Sequence, residues 1–281
     1  MTQVPRWLAL ALVAALHASC GRAVEPRLPT EGLFVDLDAR HGLRLEAEQV
    51  VAWTNQVPGR ATVFVANRPT GRPVLRAEAT QGRPSLVFDK KELVNFEEDA
   101  FDRLTQGSGY TWAVVLAPHA QRPGLKDVNS FFGNLRNGGQ YEGFWGCLND
   151  DNSVWIGSRN GRSFGRFNAD NPKVQGPKLK QGEFVVLAGR MGAGTGTVPV
   201  ELFVNSHRPA AAQPIPVHPA SNPSKMAIGQ ERDAIEHPGH ESFVGEIARV
   251  LFWNRPLTDE ELQGAVALLR RDYLGVPAVS Q

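Results

Sequence analysis

The chain is predicted to be all-β, an antiparallel sandwich or jelly roll with a C-terminal capping helix. Ten short apolar or alternating segments are separated by Gly, Pro, Asn and Asp clusters, and no repeated strand–helix alternation joins them. Glycine and proline number 28 and 20 of 281 residues, a turn-rich composition that disfavours a helical bundle. The clearest helical periodicity comes last. With 42% hydrophobic and 21% charged residues the chain can bury a core, which excludes global disorder. Thirty basic residues against 29 acidic give a net charge of +1, so the totals show no phosphate-binding surface.

Arg6 precedes the apolar run Trp7–Leu16 and a small-residue exit, the layout of a secretory leader. Ten apolar residues are too few to span a bilayer, which takes roughly 20 in a helix. The expected organisation is therefore a signal peptide over 1–23, a Pro-bearing linker over 24–31, one domain over 32–276 and a short tail over 277–281. Export to the periplasm, cell surface or medium follows. Leu16-His-Ala-Ser-Cys20-Gly resembles a bacterial lipoprotein signal, which would make Cys20 the lipidated residue and a lipid anchor the only membrane contact. A soluble leader cleaved after Ala18 or Ala23 is the alternative. Cys147 would then have no partner, so no disulfide framework is expected.

The strand candidates, in order, are 33–39, 49–56, 85–90, 111–118, 142–149, 153–159, 183–191, 199–206, 225–231 and 245–255. In the first, Leu33, Val35 and Leu37 share one face and Phe34, Asp36 and Asp38 the other. Residues 97–104 (EEDAFDRL) suggest one short helix, and the Pro/Ala stretch 208–220 a surface loop. The last helix begins with a capping box, Thr258 as N-cap and Glu261 three residues on, flanked by the staple pair Leu257 and Leu262. Leu262, Val266, Leu269 and Tyr273 then recur at helical spacing, so one face packs on the strands.

The ending SFVGEIARVLFWNRPLTDEELQGAVALLRRDYLG (242–275) resembles the close of concanavalin A-like, laminin G-type domains of bacterial surface proteins. Phe243, Gly245, Ile247, Ala248, Asn254, Arg255, Leu257, Thr258, Glu261 and Gly275 stand at the pattern positions. Residues 33–56, 82–96 and 109–118 are similar to that family's opening segments, so the resemblance covers most of 33–275. It implies a concanavalin A-like jelly roll. It says little about the ligand, because the matching residues are core, turn and cap positions.

Relatives of that fold that cleave polysaccharides carry two carboxylates on one strand, and retaining enzymes need them about 5–5.5 Å apart. No strand here has that pattern. Asp36 and Asp38 have i, i+2 spacing but sit where a polar outer face explains them, and the expectation is that the chain is not an enzyme. Sugar recognition would use aromatic rings for apolar sugar faces and short polar groups for hydroxyls. Residues 141–162 supply Tyr141, Trp145 and Trp155 with Asn149, Arg159 and Arg162 on two strands around an Asn/Asp turn. Trp145 and Trp155 can share a face. Two readings of that face stand, a core position or a solvent-facing pair.

The turn Asn149-Asp150-Asp151-Asn152 is explained by turn chemistry, or else Asp150, Asp151 and Asn152 are ligands for calcium, the one cofactor considered. Glu231, Asp233, Glu236, His237, His240 and Glu241 form a polar loop before the last strand, where a ligand rim could lie. KVQGPKLK (173–180) is too weak a basic stretch for nucleic acid. The leading expectation is an exported, non-catalytic module binding a polysaccharide or glycoconjugate. The alternative is a protein-interaction or structural protein of the envelope with a surface protein as partner; a polysaccharide-cleaving enzyme comes third.

Overall fold

The computed structural model describes residues 25–97, 99–124, 129–137, 141–163, 173–231 and 241–277. The leader and Cys20 lie outside them. Among the described residues are eighteen strands and one α-helix. The strands are β1 (Leu33–Asp38), β2 (Leu43–Glu46), β3 (Gln49–Thr54), β4 (Val63–Val65), β5 (Val74–Thr80), β6 (Arg83–Phe88), β7 (Leu93–Val94), β8 (Tyr110–Pro118) and β9 (Asn129–Gly133). They continue as β10 (Arg136–Asn137), β11 (Tyr141–Leu148), β12 (Ser153–Asn160), β13 (Val174–Lys178), β14 (Val185–Met191), β15 (Gly196–Val204), β16 (Pro209–Val217), β17 (Ala227–Ile228) and β18 (Gly245–Trp253). The helix α1 spans Asp259–Leu274.

All strand pairings are antiparallel. One run proceeds β16–β15–β14–β8–β18, and β1 and β6 share the free edge of β18. The other proceeds β2–β3–β4–β7–β17–β9–β11–β12–β13. β5 pairs with β6 and touches β3 at Gln49↔Val74, which makes the ladder continuous. Alternate residues of both runs meet in one core. Tyr110, Trp112, Val114 and Leu116 of β8 enter it from one side, and Phe144 and Leu148 of β11 with Val154 and Ile156 of β12 from the other. Rings dominate its centre, where Phe132 lies edge-on to Trp112, Phe144 and Phe252.

The opposite faces of β8, β14 and β18 carry a second cluster, Ala113, Val115, Val186, Ala188, Leu251 and Trp253, beneath α1. Leu262, Ala265, Val266, Leu269 and Tyr273 are the helix's buried stripe, as the spacing predicts. Burial of each large apolar side chain contributes about 1.5–3 kcal/mol, so docking rather than propensity holds the helix. The Thr258–Glu261 capping box forms and Gly275 closes the helix in a left-handed conformation. No helix among the described residues is long and apolar enough to cross a membrane.

Each of the ten strand candidates contains a strand, and eight further strands were not anticipated. The Pro/Ala stretch expected to be a loop is the strand β16. Among the described residues it pairs only with β15, and an edge strand tolerates Pro209, Pro214 and Pro216 because a missing N–H disturbs no second ladder. The helix expected over 97–104 is reduced to a 3-10 turn at Asp102–Leu104. In β1 the alternation breaks. A bulge between Leu33 and Val35 sends Leu33 towards the helix-side cluster and lets Phe34 join Val35 and Leu37 at the main core, where its ring lies 5.4 Å from that of Phe101.

Candidate functional site

The hairpin β11–β12 has two faces because side chains alternate along a strand. Phe144, Leu148, Val154 and Ile156 point into the main core. The other face carries Trp145, Cys147 and Trp155, which with Leu135 and Tyr141 form a separate aromatic cluster. The register sets it. Trp145 stands opposite Gly157 and Cys147 opposite Trp155, so the two tryptophans are diagonal neighbours on one face. Their ring centroids are 5.3 Å apart at 75°, an edge-to-face contact worth about 0.5–1.5 kcal/mol beyond its buried area.

Two glycines make room for the indole of Trp145. A Cβ on Gly157 would lie 2.4 Å from Cζ2 of Trp145, so the ring lies against bare backbone. A Cβ on Gly133 would lie 2.8 Å from the Cβ of Glu231 and 3.1 Å from that of Trp145. Gly133 thus lets the buried Glu231 pack beside Trp145. The Sγ of Cys147 lies 2.9 Å from Ser130 Oγ.

Cations lie over the rings. The Arg159 guanidinium is 5.1 Å from the Tyr141 ring centroid and 5.7 Å from that of Trp145, and Lys173 Nζ is 5.0 Å from that of Trp155. Contacts of this kind contribute about 0.5–1 kcal/mol at exposed sites. Burial holds the Arg159 guanidinium below its ordinary range, partly offset by the nearby Tyr141 and Glu231. Both indole N–H groups are buried and meet no acceptor. A buried unsatisfied donor costs about 1–3 kcal/mol, so this face carries a hydrogen-bonding deficit.

Both readings of the tryptophan pair are corrected in part. Each residue is 5% exposed, so neither ring is a solvent-facing platform, and neither belongs to the main core. Of the residues expected at a site, Tyr141, Trp145, Trp155 and Arg159 come together. Asn149 does not join them, because its amide donates to Ser153 Oγ in the turn. Arg162 is exposed beyond the end of β12, where its backbone N–H donates to Asn160 Oδ1. Lys173, Leu135 and Glu231 were missed as members of this face. Gly157 is the one further member that sequence could have shown, because pairing the two strands about the Asn/Asp turn places it opposite Trp145.

The turn itself is held by its own side chains. Asp151 Oδ1 accepts from the Ser153 hydroxyl and backbone N–H, and those bonds hold the carboxyl below the ordinary aspartate value. Asn152 takes φ 67°, the left-handed conformation that Asn tolerates. A cavity of about 510 Å³ borders Asp150, Asp151 and Asn152, and Lys178 and Lys180 line it too. Among the described residues no group of three or more His, Cys, Asp or Glu side chains is placed to hold a metal ion. Asp233, Glu236, His237 and His240 of the polar loop lie outside the described residues.

The Asp36–Asp38 pair on β1 is engaged by arginines. Arg249 donates to both carboxylate oxygens of Asp36, at 3.0 and 2.8 Å, and Arg40 to those of Asp38. Burial pushes the Asp38 carboxyl up, but Arg40's hydrogen bonds and the charges of Arg249 and Arg40 outweigh it and hold the group below its ordinary value. Glu246, on β18, accepts from Arg76 and Ser85 and lies 3.2 Å from His119 Nε2.

No family model matches the chain, and no curated protein matches it. Solved structures do. A Trypanosoma rangeli sialidase is 14% identical with a TM-score of 0.53, covering 87% of this chain but only 33% of its own, so the chain spans about a third of that enzyme. Domain 4 of AbnA, a GH43 extracellular arabinanase from Geobacillus stearothermophilus in complex with arabinotriose, is 15% identical with a TM-score of 0.51, covering 82% of this chain and 96% of that domain. The binding domain of Paraclostridial Mosquitocidal Protein 1 is 11% identical with a TM-score of 0.58, covering 85% and 52%. At these identities, what the chain shares with all three is an all-β fold.

Proposed function

We propose that the chain is an exported, non-catalytic binding module on a concanavalin A-like, laminin G-type jelly roll, and that it recognises carbohydrate or glycoconjugate through the outer face of β11 and β12. One observation carries the site: two tryptophans with unsatisfied indole N–H groups sit outside the main core, under two cationic side chains. A sugar supplies both an apolar face for the ring and oxygen acceptors for the N–H. The arabinotriose complex of the arabinanase domain supports the reading, because that domain has this fold over nearly its whole length. The leader predicts export, with Cys20 as a lipid anchor or cleavage nearby.

The test is calorimetric titration of the purified chain with a panel of oligosaccharides, with calcium and with chelator. Saturable binding that Trp155→Ala abolishes is the expected result. Loss of binding in chelator would bring Asp150, Asp151 and Asn152 into the site. No binding across the panel would overturn the proposal and favour a protein partner.

A further inference from the structure

The outer face of the β11–β12 hairpin does not end at the tryptophans. Along β12, Val154 and Ile156 point into the main core, so Ser153 and Trp155 share the outer face. β13 continues that face. Gln175 stands directly opposite Trp155 and Lys178 opposite Ser153, with one extra residue of β13 bulged between the two pairs. Gln175 and Lys178 are exposed. Ser153 ties the strand to the turn, because its hydroxyl and backbone N–H donate to Asp151 and its hydroxyl accepts from Asn149. Asp151 and Lys178 in turn border the cavity of about 510 Å³, which Asp150, Asn152, Lys180 and Gln181 also line. A polar path therefore leads from Trp155 past Ser153 and Lys178 into the cavity at the hairpin tip.

The cavity mixes donors and acceptors. Asp150 and Asp151 accept only, Lys178 and Lys180 donate only, and the Gln181 amide does both. Asn152 is 7% exposed, and its side-chain oxygen meets no donor among the described residues. Sugar hydroxyls, which donate and accept, match such a lining, whereas a bare cation would meet two ammonium groups and an anion two carboxylates. The Gln175 amide offers the same pair of functions beside Trp155.

We infer that this face binds a linear oligosaccharide lengthwise, with one sugar unit beside Trp155 and Gln175 and a further unit in the turn cavity. The inference rests on the carbohydrate reading above and deepens it from the kind of ligand to its extent. Trp155 and Ser153 are two residues apart on one face, a step of about 6.7 Å that exceeds one sugar ring. The cavity lies beyond Ser153, so a ligand that reaches both places spans at least two linked units. Its volume is within the range that ligand pockets occupy.

The experiment titrates the full chain calorimetrically with cello-, xylo- and arabino-oligosaccharides of one to four units. In a series that binds, affinity should rise roughly tenfold from one unit to three and then level off, the worth of one or two net hydrogen bonds. Combining Lys178→Ala with Gln181→Ala should remove that gain; both residues are exposed, and near-UV circular dichroism would show that the aromatic cluster persists. Gln175→Ala should weaken every length alike. Affinity independent of length would overturn the inference and leave the carbohydrate reading intact. A length gain that survives the double variant would overturn the cavity as the second place, and no binding by any series would overturn the carbohydrate reading itself.

Discussion

Replacing Gly157 by alanine tests the geometry of the aromatic face directly. The added Cβ would lie 2.4 Å from Cζ2 of Trp145, 2.9 Å from Cε2 and 3.0 Å from Cη2, whereas ordinary contact begins at 3.4 Å. The indole must therefore withdraw by 3.4 − 2.4, or 1.0 Å. Trp155 stands edge-on with its centroid 5.3 Å away, so the retreat disturbs that contact as well. Overpacking of this sort costs about 1–3 kcal/mol, and Gly→Ala returns about 0.4–1 kcal/mol through the unfolded chain, leaving roughly 0–2.6 kcal/mol of net destabilisation. In a domain of this size each kcal/mol lowers Tm by about 2–4 °C. Denaturant titration measures the loss, and near-UV circular dichroism reports the coupling of the two indoles. An unchanged midpoint together with an unchanged near-UV spectrum would refute the packing of Trp145 on bare backbone.

Thr258→Ala should cost about 1 kcal/mol by removing one arm of the capping box, read by urea denaturation. Glu261 has its carboxyl lowered from 4.5 to about 2, first by hydrogen bonding to Arg255. Its stabilising contribution is complete above pH 4.5 and is lost as pH falls towards 2, so Glu261→Gln should flatten the stability profile in that window. Added salt should shrink the effect because the pair is near the surface. Arg249→Met leaves Asp36 and Asp38 without their shared cation in a buried setting and should cost about 3–5 kcal/mol by thermal or denaturant melting. Cys147, 2% exposed, should resist a thiol reagent in the native state and label at a rate that follows unfolding; prompt labelling would contradict its burial.

The parts of the fold legible in sequence are those whose signal is local. The capping box and helical stripe of α1 depend on residues within a few positions of one another. β8 is an unbroken apolar run, buried along its whole length. β2 and β5 escaped notice because hardly any of their residues are buried, so partners rather than their own pattern hold them in the sheet. β16 reads as a loop because its prolines are acceptable only once its position at an edge is known. The bulge that brings Phe34 to the same side as Val35 leaves no trace in the alternation. At the candidate site, hairpin register placed Trp145 and Trp155 together, but their depth depends on distant chain. Glu231 and Lys173 arrive from segments with no sequence link to the hairpin, and sequence spacing carries no information about such meetings.

The prolines of β16 also bear on how copies of the protein behave when crowded. A sheet's outermost strand offers unused N–H and C=O groups to any extended chain that drifts alongside. On this border Pro209, Pro214 and Pro216 interrupt the donor row, so a visiting strand finds no continuous ladder to extend. Crowded copies of the domain would then meet along this border without zipping together.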